Sequence, residues 1–257
     1  MYVLLSHQKN EKANLDQKKT SCSSLCIPPE YLEEAIFAGD ISFGSFWGVE
    51  AAFGRVKGVA KTSTGYYGGN LRKPTHREVQ NVSNVMTGHT EAVKVVYDKR
   101  IVSFTSLCEV FWDTHDPTDK EFLQFGVKTH LRSTIFYVNQ EQRREALRSK
   151  VRRQMKLNRR IVTVILPSYT SEFFLAENCH QKYYLQKNHI WLCESLNLRS
   201  TEQFAASHAA CKLNGLLGGE CNDSNKKNKE ELRRFIDGNE FSRNTTEILE
   251  GILQNWS

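Results

Sequence analysis

The chain is poor in the features that mark the extreme protein classes. Five prolines and 15 glycines in 257 residues exclude a collagen-like chain. No apolar run approaches the roughly 18–20 residues of a membrane helix, so no membrane span is expected. Met1–Ser6 is apolar but too short for a secretory core, and no cleavage site follows it. Seven cysteines are too few for a disulfide scaffold, and their odd number leaves at least one thiol unpaired within the chain. There is no internal repeat. What remains is an ordinary globular composition, 39% apolar and 25% charged, long enough to bury a sizeable core.

Net charge is also scarce outside a single segment. The net charge is +6, yet Arg143–Arg160 alone holds nine Lys/Arg against one Glu. Everything else is therefore close to neutral. Leu147, Val151 and Met155 recur every four residues, which predicts a helix docked on a core through that stripe. The charged remainder reads as a solvated face. An RNA, phosphate or anionic-membrane contact is the functional alternative. No aromatic is interleaved for base stacking, so nucleic acid is not the expected partner.

Composition divides the chain into a polar lead (1–28), a central unit (29–191) and a tail (192–257). In the central unit Glu34–Ala38, Val59–Thr64, Glu91–Tyr97, Ser133–Val138 and Ile161–Leu166 read as strands. A glycine-rich turn is expected at Gly65–Gly69. Phe46–Val56 reads as a helix. Ser103 can cap another, whose apolar residues Phe104, Leu107, Cys108 and Phe111 keep helical spacing; Pro117 stops it. Glu172–Gln186 is expected to close the unit as a short helix. Strands alternating with helices argue for an α+β sandwich, helices packed on a sheet. In the tail, Ser200-Thr201-Glu202-Gln203 is a capping-box pattern for a helix reaching Gly215. Cys221–Glu230 reads as a linker, and Lys226–Ile236 and Thr246–Trp256 as two further helices.

One segment carries chemistry: Gly44-Ser45-Phe46-Trp47-Gly48-Val49-Glu50. It resembles the active-site signature of the A-type peptide-methionine sulfoxide reductases, G-C-F-W-G-x-E. Further blocks resemble the family in order: Gly58-Val59 and Gly65-Tyr66-Tyr67-Gly68-Gly69, Pro74-Thr75-His76-Arg77-Glu78-Val79, Gly88-His89-Thr90-Glu91-Ala92-Val93, Phe111-Trp112 with His115-Asp116-Pro117-Thr118, Arg132-Ser133, and Ala176-Glu177 with His180-Gln181-Lys182-Tyr183. The resemblance runs from Gly44 to Tyr183 and does not need the tail.

The resemblance implies a two-layer α+β sandwich with a mixed sheet and a ferredoxin-like core. It implies reduction of methionine sulfoxide, in proteins or free, to methionine. A thiolate at a helix N-terminus attacks the sulfoxide sulfur and becomes a sulfenic acid. A second cysteine then forms a disulfide, which thioredoxin reduces. No bound cofactor or metal is implied. Phe46 and Trp47 would form the pocket for the substrate methyl group, and Glu91 would be the proton donor. The nucleophile position holds Ser45. A hydroxyl oxygen has no step matching thiol to sulfenic acid, so Ser45 cannot supply the two electrons the reaction needs. Other positions depart too. His76 stands where the family has tyrosine, Gly126–Arg132 lacks the family's acid and second tyrosine, and Gly39–Ser42 looks inserted. Several losses favour a naturally divergent member over a single engineered serine.

Cys179, Cys193, Cys211 and Cys221 are the candidate replacement or resolving thiols. Cys179 and Cys108 also read as packed core residues. Cys22 and Cys26 have no histidine partner for zinc. Three functions stay open: a reductase working through a non-standard cysteine, a non-catalytic binder of oxidised methionine or of a protein partner, and an anion binder using Arg143–Arg160. Whether the chain is an enzyme is open as well. The tail is expected to pack partly over the Ser45 pocket. His89, His115 and His180 are expected to hold loops, and Glu50 to be a buried structural carboxylate. The cytoplasm is the expected compartment. A secretory route, in which sequons at Asn81, Asn222, Asn244 and Asn255 would matter, stays open if the N-terminus is incomplete.

Overall fold

The computed structural model describes residues 27–39, 45–80, 87–120, 130–168, 171–218 and 225–256. Residues 1–26 of the polar lead, with Cys22 and Cys26, the insertion at 40–42, the sequons at Asn81 and Asn222, residues 126–129 and Cys221 lie outside them.

Six strands form one mixed sheet: β1 (Leu32–Ala38), β2 (Val59–Tyr67), β3 (Thr90–Asp98), β4 (Thr134–Tyr137), β5 (Val164–Pro167) and β6 (Phe174–Leu175). Their order is β5-β4-β1-β3-β2-β6. Every neighbouring pair is antiparallel except β4–β5. The two-residue alternation of a strand sorts β1 between the faces. Ala35 and Phe37 join the main core, whereas Ile36 and Ala38 join a smaller cluster with Tyr67, Ala92 and Phe136.

Helices cover the main face: α1 (Phe46–Arg55), α2 (His76–Gln80), α3 (Phe104–Asp113) and α4 (Gln140–Gln154). The Ser103 hydroxyl accepts from the Ser106 N–H, capping α3, and Phe104, Leu107, Cys108 and Phe111 are all buried. The α+β architecture read from the sequence is the observed one. α3 stops at Thr114, ahead of Pro117.

Several local expectations fail for non-local reasons. Leu147, Val151 and Met155 of α4 and its C-cap are 45%, 61% and 82% exposed. The helix docks instead through Gln142, Ala146 and Ser149. Gln142 donates to the Glu34 carbonyl at 2.9 Å, and Ser149 accepts from the Trp112 indole N–H at 3.2 Å. Small side chains with polar partners let the backbone come close, which a larger apolar stripe would prevent. β2 runs through Gly65 to Tyr67. Gly65 is needed there because a Cβ would sit 2.3 Å from the Phe174 carbonyl of β6. The turn begins only at Gly68, where φ is +85°. Glu172–Gln186 is not one helix. It contains β6, a 3-10 turn (Asn178–His180), Lys182 in left-handed conformation, and then α5 (Tyr183–Asn188).

Every element of the tail among the described residues is a helix: α6 (Ile190–Ser195), α7 (Thr201–Ala206), α8 (His208–Leu217), α9 (Asn225–Asp237), which begins inside the stretch read as a linker, and α10 (Arg243–Gln254). The capping box at Ser200 and Gln203 forms as read. The helix breaks at Ser207, whose side chain caps α8 by accepting from the Ala210 N–H. Leu185, Leu192, Cys193, Phe204, Leu213, Leu232, Ile236, Leu249 and Leu253 build a second core. α8 joins the two cores. Its Cys211 belongs to the main core, while Ala210, Leu213 and Leu216 belong to the second.

Candidate functional site

α1 begins at Ser45, whose backbone is extended (φ −169°, ψ 158°) and whose side chain makes no cap. The spacing i, i+3, i+7 puts Phe46, Val49 and Phe53 on one face, and all three are buried, so the helix is fixed by burial rather than by its cap. Its first N–H, that of Phe46, donates to Glu91 Oε2 at 3.2 Å. A carboxylate is well placed at a helix N-terminus, where the uncompensated N–H groups are positive. Glu91 comes from β3, is 1% exposed, and has Oε1 3.3 Å from His76 Nε2 of α2. That contact is within ion-pair range but lacks hydrogen-bond geometry. Ser45 Oγ and Glu91 Oε1 are both buried without a hydrogen-bond partner among the described residues. Buried polar atoms normally find partners. Two orphans at one helix start mark a place that can take a polar ligand atom.

Aromatic rings surround this point. Phe46 is fully buried, with its centroid 6.1 Å from Tyr66, 6.3 Å from His76 and 5.8 Å from His180. Trp47 stacks on Tyr183 at 3.8 Å and 6°. Its indole N–H donates to His180 Nδ1 at 3.3 Å. Burial, then the neighbouring His76, lowers the His180 pKa, consistent with a neutral ring accepting that bond. Tyr66 donates to Glu177 Oε2 at 2.7 Å, and the His76 N–H donates to Oε1 at 2.8 Å. Burial, then Glu177, pushes the Tyr66 phenol well up. Desolvation works against the Glu177 carboxylate, but bonds from His76 and Tyr66 outweigh it and hold its pKa down. Sequence reading overlooked His76 and Tyr66 as parts of one cluster with Glu177. The signal was weak, because β2, α2 and the segment after β6 meet only in the fold.

Glu50 lies one turn further along α1, four residues after Phe46. It pairs with Lys182, both side chains being 0% exposed. His89 and His115 hold loops. His89 donates to the Leu71 carbonyl and accepts from the Gly69 N–H. His115 donates to the Phe111 carbonyl and accepts from Ser133. No group of three or more metal-ligating side chains occurs among the described residues.

The cysteines divide sharply. Cys179, read as a packed residue, is exposed instead and immediately precedes His180 of the ring cluster. Cys193 is buried in the tail core, and burial pushes its thiol up to about 11. Cys211 is also buried, with its thiol raised by desolvation and Sγ 3.5 Å from Thr62 Oγ1. Its backbone carbonyl lies against Gly54 in the last turn of α1. At 1.5 Å per residue that is roughly 13 Å down the helix from Ser45. Among the described tail residues, α8 therefore packs on the far end of α1, away from Ser45. There, Arg55 Nε and Nη2 donate to the carbonyls of Gly215 and Gly218, while Lys212 Nζ donates to those of Gly54 and Val56. Each helix thus satisfies the orphan carbonyls of the other.

The family model for peptide methionine sulfoxide reductase matches residues 33–213 of this chain. The chain belongs to that family. It is 44% identical over 183 residues to peptide methionine sulfoxide reductase MsrA of Methanosarcina acetivorans, a match covering 69% of this chain and 92% of that protein. Among solved structures, methionine sulfoxide reductase A of Corynebacterium diphtheriae is 31% identical with a TM-score of 0.51, over 63% of this chain and 76% of that one. Reduced Mxr1 from Saccharomyces cerevisiae is 25% identical with a TM-score of 0.53, over 66% and 91%. The family match passes residue 191, where composition alone divides centre from tail, and ends inside α8. The reductase family thus accounts for both the sheet and the helix that braces α1. No helix among the described residues is long and apolar enough to cross a membrane.

Proposed function

We propose that this member of the reductase family binds the methionine sulfoxide side chain, in proteins or free, and does not reduce it through Ser45. The observation that carries this reading is the pair of orphaned buried atoms, Ser45 Oγ and Glu91 Oε1, at the start of α1. The Ser45 hydroxyl can donate to a sulfoxide oxygen. Phe46 and Trp47 supply apolar surface for the methyl group beside it. What the site lacks is an electron source. Sulfoxide reduction consumes two electrons, and a thiol supplies them by taking the oxygen to become sulfenic acid. A serine oxygen has no equivalent oxidation under these conditions.

A second reading rests on Cys179, the exposed thiol next to His180. In that reading Cys179 is the nucleophile and thioredoxin restores it. Cys193 and Cys211 are poorer candidates, because burial keeps both protonated. The test is incubation of the chain with methionine S-sulfoxide and dithiothreitol, measuring methionine formed and binding by calorimetry. Wild type is expected to bind without turnover, and Ser45→Cys to turn over. Wild-type turnover abolished by Cys179→Ser would replace the first reading with the second. Absence of binding would overturn both.

A further inference from the structure

The pocket leaves the basic helix without a role. On an ideal helix, Leu147, Val151 and Met155 fall within an arc about 80° wide. Arg143 flanks that arc on one side, Arg148 and Arg152 on the other, and Arg144 lies inside it. Three apolar side chains that would ordinarily be buried stand 45%, 61% and 82% exposed. The neighbouring cations are mostly uncommitted. Arg152, Arg153 and Arg159 pair with Glu109, Asp113 and Asp116. Lys150 is drawn inward to the Thr163 carbonyl. Arg143, Arg144, Arg148 and Lys156 are exposed and make no ion pair with any described residue. The inner side of α4 is already occupied by Gln142, Ala146 and Ser149, so this outer face is not a core face left over.

We infer that the outer face of α4 docks on an anionic lipid surface, with Leu147, Val151 and Met155 entering the headgroup boundary and Arg143, Arg144 and Arg148 meeting lipid phosphates and carboxylates. Charge complementarity selects the sign of the partner. The apolar crest selects its kind. A nucleic acid would satisfy the cations but gain nothing from three aliphatic side chains, and no aromatic stands among them for stacking. An interfacial helix needs both: apolar residues inserted to a shallow depth and cations level with the headgroups. Each cation near an anionic leaflet raises binding roughly fivefold.

Flotation of the full chain with phosphatidylcholine vesicles, with and without phosphatidylserine, tests this. Binding is expected only with phosphatidylserine. It should weaken as salt rises from about 0.1 M to about 1 M, because the screening length falls from about 10 Å to about 3 Å. Arg144→Glu with Arg148→Glu should weaken it at least tenfold, and Val151→Ser with Met155→Ser should weaken it as well. Val151→Trp should show a blue-shifted emission component on binding. All of these side chains are exposed, so circular dichroism is expected to match wild type. No vesicle binding, binding indifferent to the Arg144/Arg148 reversal, or an unchanged Val151→Trp spectrum would overturn the inference. Displacement from vesicles by an RNA oligonucleotide of similar charge, with tighter binding to that RNA at the same salt, would reassign the face to nucleic acid.

Discussion

Replacing Lys182 by methionine should destabilise the protein by about 3–5 kcal/mol. Lys182 Nζ donates to Glu50 Oε1 at 2.6 Å and to the Thr62 carbonyl at 2.7 Å. Glu50 also accepts from the Lys182 N–H at 2.8 Å and from Thr62 Oγ1 at 3.2 Å. Both side chains are fully enclosed. Methionine keeps most of the stem and removes the charge. The carboxylate would retain two neutral hydrogen bonds and lose its counter-ion, and the Thr62 carbonyl would lose a donor. A domain is stable by only about 5–15 kcal/mol in total, so the loss is a large fraction of the whole. Adding Glu50→Gln removes the stranded charge. Buried ion pairs replaced together are often near neutral, so the double variant should recover at least half of the loss. Urea unfolding followed by circular dichroism at pH 7 gives all four corners of the double-mutant cycle. A Lys182→Met cost below about 1 kcal/mol, or strict additivity of the two changes, would refute the reasoning. Either result would mean that the pair does not fix α1 to β2 and the turn before α5.

Two further outcomes follow from packing and burial. Gly215→Ala puts a Cβ 2.5 Å from the Arg55 backbone N, and neither backbone can yield easily. A cost of about 1–3 kcal/mol is expected, read as a lowered unfolding midpoint, and an unchanged midpoint would mean that α8 does not press on α1. His115 is pulled from 6.5 down to about 4 by burial, against the opposing hydrogen bond to Phe111 and the charge of Asp116. The unfolded chain therefore binds a proton between those values that the folded chain refuses. Stability present above pH 6.5 is lost as the pH falls toward 4, by up to roughly 3 kcal/mol for this one group. In a His115→Gln variant, the slope of unfolding free energy against pH should flatten by about one proton in that window. An identical slope would place the proton uptake elsewhere.

Features set by neighbours in sequence were legible. The caps at Ser103 and Ser200, the period of β1 and β3, and the helical spacing of Phe104–Phe111 all depend on contacts within a few residues. The motif blocks point to Ser45, Phe46, Trp47 and Glu91, and the fold brings the Glu91 carboxylate to the Phe46 N–H next to Ser45. The misread elements share one cause: their decisive partner is distant in sequence. α4 turns its aliphatic stripe outward because Trp112 and Glu34 offer hydrogen bonds to Ser149 and Gln142. Gly65 is a strand residue because the Phe174 backbone lies against it. Glu172–Gln186 breaks up because Gln181 bonds the backbone of Thr64, and Lys182 must reach Glu50.

The sequence by itself determined the family, the α+β class and the central chemical fact, that oxygen stands where the reductase mechanism needs sulfur. These follow from residue identity and local order, which no packing can change. Only the tertiary structure decided which thiols are accessible, what braces α1, and which side of the basic helix faces out. Those depend on burial and close approach between segments far apart in the chain. Cys193 and Cys211 look alike to Cys179 as letters, but the first two are enclosed in cores and the third is exposed beside the rings of the site.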